Sequence, residues 1–115
     1  MSMENLRQHG NSSDRIDQVP ASTPEEIALG REIVGQELGN DFWLTTGLPR
    51  HVGTKGDDRV YGESVLVESD SPVAARTAYL DTEHIARVST RLTNIMPAVV
   101  KVLFDPLGRG IRDAE

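Results

Sequence analysis

The sequence has no cysteine. That absence removes disulfide frameworks, Cys-ligated zinc, iron–sulfur clusters and thiol nucleophiles together. Aromatics are scarce, with one Trp, two Tyr and two Phe, so few large side chains are available to build a core. Lysine is scarcer still, because ten of the twelve basic residues are arginine. No apolar run approaches the ~20 residues needed to span a bilayer. The opening stretch MSMENLRQHGNSSDRID has no apolar centre of a signal peptide. These absences lead us to expect no membrane and a cytoplasmic protein, or one carried within a virus particle.

What is present is one small domain with extensions. A chain of 115 residues buries only about two-thirds of its unfolded surface. Stability borrowed from a partner is therefore a reasonable expectation. The net charge of −6 argues against generic nucleic-acid binding, since phosphate neutralisation supplies most of that affinity.

Residues 1–21 are polar and without period, and read as a disordered or extended N-terminal arm. The domain proper is expected over 22–108, and a loose tail over 109–115. A helix over 23–39 is the best-marked element. Thr23 takes the N-cap, Pro24 the first turn and Glu26 the reciprocal capping position. Ile27, Val34 and Leu38 form a stripe, and Gly39 stops the helix. The segment Asp41-Phe42-Trp43-Leu44 reads either as a strand or as an aromatic anchor. Gly47 to Gly56 reads as a long glycine-punctuated loop.

Asp58 to Glu68 reads as a strand of imperfect alternation. Ser71-Pro72 then starts a helix. Asp81 either caps a second helix, with Leu80 and Ile85 as its hydrophobic staple, or lies inside one helix over 72–95. Ile85, Val88, Leu92 and Ile95 recur at helical spacing. Arg87, Arg91 and Asn94 fall on the other side, where acids of the first helix could pair with the bases. Beyond Pro97, residues 98–104 are β-branched and apolar and read as a buried strand. The expected fold class is therefore α+β: a small single domain with an N-terminal helix and a strand–helix–strand unit, preceded by a flexible polar arm.

No catalytic constellation is legible. The loop GLPRHVGTKG has the glycines of a phosphate cradle but lacks the Gly-Lys-Ser/Thr run into a helix. No histidine pair has the spacing of a helical metal site, and no serine sits in a nucleophile elbow. The expectations are accordingly no enzyme, no cofactor and no metal. The leading reading is a non-enzymatic structural or adaptor subunit of a larger assembly, a virus-particle component being one case. It would act as a homo- or hetero-oligomer through Phe42, Trp43, Arg50, His51 and Lys55, since aromatic and Arg side chains dominate interface energies. The alternative is a small regulator or inhibitor that binds nucleic acid, or the machinery acting on it, through Arg87 and Arg91.

Overall fold

The structure, a computed structural model, describes residues 17–55 and 58–108. In chain order the elements are β1 (Asp17–Gln18), α1 (Pro24–Leu38), β2 (Phe42–Thr45), β3 (His51–Lys55), β4 (Asp58–Ser69), α2 (Pro72–Leu80), α3 (Thr82–Ile95) and β5 (Val99–Phe104). The α+β class expected from the sequence is the class observed.

Each of the other described strands pairs with β4. β2 and β3 run antiparallel to it, and β1 and β5 run parallel. β1 and β3 both register with Val60 and Tyr61, so they occupy opposite edges of its first half. β2 and β5 both register with Leu66 and Val67, so they flank its second half. A parallel β4–β5 pair requires a crossover, and α2 and α3 supply it.

The helix ends follow local chemistry. Thr23 Oγ1 accepts from the Glu26 N–H while the Glu26 carboxylate accepts from the Thr23 N–H, completing the capping box. Ser71 Oγ caps α2. Asp81 Oδ1 accepts from the His84 N–H and opens α3 as a separate helix, which settles the choice between one helix and two. The staple expected there does not bury Leu80, which stays 77% exposed.

Helical and strand periods meet on one face of the sheet. Val34, Val65, Val67, Val88, Leu92, Met96 and Val99 are fully buried, with Ile33, Phe42 and Leu44 beside them. Ala74 and Ala78 of α2 pack against the same cluster. Gly30 lets α1 descend onto it, since a Cβ there would stand 2.7 Å from Met96 Sδ. By the pleat, Trp43, Thr45, Leu66, Glu68, Lys101 and Leu103 point to the opposite face.

Two segments differ from the sequence expectation. The loop expected up to Gly56 contains a strand, because β3 forms an antiparallel ladder with the start of β4. Its glycines disguise it. Gly53 faces Val100, and an added Cβ would stand 2.7 Å from Val100 Cβ. Gly62 on β4 is equally tight, since an added Cβ would stand 2.6 Å from the Ala98 carbonyl oxygen. Val100 itself falls at a register shift between Glu63 and Ser64, so its side chain can lie over both glycines. The second segment is the end of the arm. Residues 17–18 add a short parallel strand, and the Val19 N–H donates to the Tyr61 carbonyl. The rest of the arm, 1–16, and the tail, 109–115, lie outside the described residues.

Candidate functional site

The densest polar cluster joins α1 to α3. Glu37 lies in the last turn of α1, where no basic residue offsets the partial negative charge of the helix end. Its compensation comes from the other helix. Arg91 Nη1 donates to Glu37 Oε2 at 2.8 Å, and Arg87 Nε donates to Oε1 at 3.3 Å. His84 Nε2 stands 2.9 Å from Oε1 and donates to the ionised carboxylate. His84, Arg87 and Arg91 follow one another along α3 at spacings of three and four, so one helix face brings all three to one acid. Arg91 also donates to Gln36 Oε1 at 3.3 Å.

The Glu37 side chain is only 13% exposed. Its pKa is held below the usual carboxylate value, chiefly by the Arg91 hydrogen bond. Burial opposes that shift, and His84 and Arg87 add to it. The pairing of helix-one acids with the basic face of the second half is thus realised through one residue. Glu37 was one acid among four in the sequence. Its signal was position, since an acid at a helix C-terminus needs a cation from elsewhere.

A second polar set fastens the N-terminal segment. Arg50 Nη2 donates to the carbonyls of Val19 (2.6 Å) and Tyr61 (3.2 Å), and its guanidinium lies 5.7 Å from the Tyr61 ring centroid. Glu63 accepts from both the backbone N–H and the hydroxyl of Ser22. On β2, Thr45 Oγ1 donates to Glu68 across the strand pair.

The residues picked out from the sequence are therefore scattered. Phe42 is a core residue at 6% exposure, edge-on to Tyr79, which in turn meets Phe104. The Tyr79 hydroxyl pKa is pushed up to about 12, by burial first and then by the charges of Asp105 and Glu68. Trp43 projects to the opposite face of the sheet, half-buried. Arg50 is engaged with two carbonyls, while His51 is exposed at the start of β3. Lys55 ends that strand opposite Asp58. Arg87 and Arg91 meet at Glu37.

Two grooves border the helices. One of about 310 Å³ runs between α1 and α3 and is lined by Leu29, Ile33 and Ile95 together with Glu32, Gln36 and Arg91. The other, of about 440 Å³, lies where the end of α1 meets α2 and the start of α3. Among the described residues no group of three or more His, Asp or Glu is placed to hold a metal ion. Nor is any helix of those residues long and apolar enough to cross a membrane.

This geometry defines an α+β module with helices on one sheet face and a charged clasp between two of them. Residues 32–108 match the family described as GMP synthase C terminal domain, and the chain belongs to that family. It is 37% identical over 93 residues to a GMP synthase (glutamine-hydrolyzing) subunit of Methanocella arvoryzae, an alignment covering 72% of this chain and 30% of the relative. Against the corresponding subunit of Halobacterium salinarum it is 36% identical over 92 residues, again 72% and 30%. Against the GMP synthase of Mycobacterium marinum it is 32% identical over 81 residues, 64% of this chain and 15% of the relative. The chain thus spans about a third or less of the curated relatives it matches.

These likenesses correct the functional expectation. The chain belongs to an enzyme family, not to the structural, adaptor or virus-particle proteins expected from its sequence, and the regulator alternative falls with them. The physical reason is one of length. The relatives it matches are far longer than this chain, and a catalytic motif of the whole enzyme need not lie within the segment matched.

Proposed function

We propose that this chain serves as the C-terminal part of a GMP synthase and takes part in GMP formation in the cytoplasm. The observation that carries the proposal is the family match over 32–108, which takes in β2 to β5 and the Glu37 clasp. The relatives' names describe enzymes that hydrolyse glutamine and make GMP. A GMP synthase must hold a purine nucleotide and its phosphate. Arg50 and Arg91 are engaged with acceptors of the chain itself, whereas Arg87 is more than half exposed and gives Glu37 only its Nε. Because it matches only 30% of its subunit relatives, the chain in this reading works with the rest of a synthase, whether joined to it or separate.

The test is a chimera. This chain replaces the matching segment of the Methanocella arvoryzae relative, and GMP formation is compared with that of the relative truncated before the segment. We expect at least a tenfold gain over the truncated protein. A folded chimera that makes no more GMP than the truncated protein refutes the proposal.

A further inference from the structure

Residues 17–22 lie along β4 with almost no core to hold them. β1 pairs Asp17 with Val60 and Gln18 with Tyr61, and is only two residues long. The Val19 N–H adds one more bond, to the Tyr61 carbonyl at 3.3 Å. Pro20 has no N–H to give, so the ladder stops there. Pro20 and Ala21 are exposed, and Val19 is not part of the cluster under the helices. So short a pairing, with no core beneath it, holds little by itself.

Two side chains hold the segment instead. Arg50 Nη2 donates to the Val19 carbonyl at 2.6 Å and to the Tyr61 carbonyl at 3.2 Å, so one guanidinium bridges the segment and its neighbouring strand. The same guanidinium lies 5.7 Å from the Tyr61 ring centroid. Glu63 holds the other end. Its Oε2 accepts from the Ser22 N–H at 3.0 Å, and its Oε1 accepts from the Ser22 hydroxyl at 2.7 Å. Gly62 leaves room for Val19 between them, since a Cβ at Gly62 would stand 3.2 Å from Val19 Cγ2. This is how a sheet edge accepts an extended peptide: backbone groups give affinity, and a few side-chain positions give choice.

The closed arrangement carries a cost. Among the described residues, Arg50 Nε is buried with no hydrogen-bond partner. An unpaired buried N–H favours the state that gives it to water. The far end of the segment is anchored differently. Thr23 is fixed by its capping box with Glu26, and α1 is packed through Ile33 and Val34. The segment therefore pivots at the helix start while the helix stays in place.

We infer that Arg50, Tyr61 and Glu63 form a strand-accepting site for an extended peptide, and that residues 17–22 are its resident ligand, which leaves without unfolding the half of the sheet under the helices. The ligand that fits has a carbonyl toward Arg50 and a side chain of about valine size over Gly62. Three residues later it has a serine whose N–H and hydroxyl both face Glu63. The site is independent of the function proposed above.

Hydrogen exchange of the full chain, read amide by amide, tests the release. Relative to their intrinsic rates, the Val19 and Ser22 amides should exchange at least tenfold faster than that of Leu92, which is fully buried on α3. Arg50→Ala and Ser22→Ala should each speed Val19 exchange at least threefold and leave Leu92 exchange unchanged. Val19 and Ser22 amides that exchange no faster than Leu92 overturn the inference, because the segment then leaves only with the whole fold. A second arm uses the full chain carrying Val19→Pro and Ser22→Ala, which weaken the resident segment and leave Arg50, Tyr61 and Glu63 in place. A synthetic peptide of residues 17–23 should bind this variant at least tenfold more tightly than it binds the wild type, whose own segment competes at high effective concentration. Adding Arg50→Ala should remove that gain. No gain, or a gain indifferent to Arg50→Ala, also overturns the site. Thermal melting reports whether the double variant folds, and exchange in the wild type and Ser22→Ala carries the test if it does not. A dimer of the wild type that Val19→Pro with Ser22→Ala dissociates would make the segment a partner copy's and overturn its assignment to the same chain.

Discussion

β4 passes through two settings. From Ser64 to Ser69 it lies between β2 and β5, and Val65 and Val67 are fully buried under the helices. From Asp58 to Gly62 it runs beside β1 and β3, and none of the side chains from Arg59 to Gly62 belongs to the helix-covered cluster. The first setting is held by dry packing, where every missing methylene is felt. The second is held by ladder hydrogen bonds, by Arg50 reaching two carbonyls, and by glycines that admit Val100. One strand therefore joins a rigid half to a half with little core beneath it. Such regions sit at the low end of local stability.

The largest predicted effect tests the packed half. Leu92 is fully buried between α1 and the sheet, and Leu92→Ala should cost about 2–5 kcal/mol, read as a fall in the midpoint of thermal unfolding. Gly62→Val tests the join between the halves. The added side chain meets the Ala98 carbonyl and Val100, so it should cost about 1–3 kcal/mol in denaturant unfolding and speed amide exchange in β3 and at the start of β5.

Glu37→Gln comes next, at about 1–2 kcal/mol near neutral pH, because the partner Arg87 is more than half exposed and solvent screens it. Its pH dependence has a definite sign. The folded-state pKa of Glu37 is depressed, so its contribution is complete above the ordinary carboxylate value and is lost as pH falls through the folded value. The stability gap between wild type and Glu37→Gln should close in acid, as urea midpoints measured across that range would show. A gap that is constant with pH would remove the clasp from the account of stability. The smallest effect belongs to the open half. Val52 is 45% exposed on β3, and Val52→Thr should stay within about 0.5 kcal/mol in the same assay.

The candidate site was legible in parts. Arg87 and Arg91 were visible as a basic helix face, and an acidic first helix suggested where they would pair. That Glu37 alone would gather both, with His84, depended on how α1 and α3 pack. Phe42 and Trp43 were adjacent aromatics with no way to separate them in sequence. The pleat sends one into the core and the other to the opposite face. The enzyme family was not legible at all, because its chemistry is not written as a compact motif in these residues.

The sequence by itself determined what depends on neighbours in the chain. Thr23 with Glu26, Ser71 with Pro72, and Asp81 mark helix starts because a cap needs partners only two or three residues away. The apolar spacing of α3 likewise fixed its buried face. Only the tertiary structure decided that the described strands converge on β4, that β3 is a strand despite its glycine, and that one carboxylate clasps two helices. Those features join residues up to fifty-four positions apart, and their energy exists only once the core has brought them together.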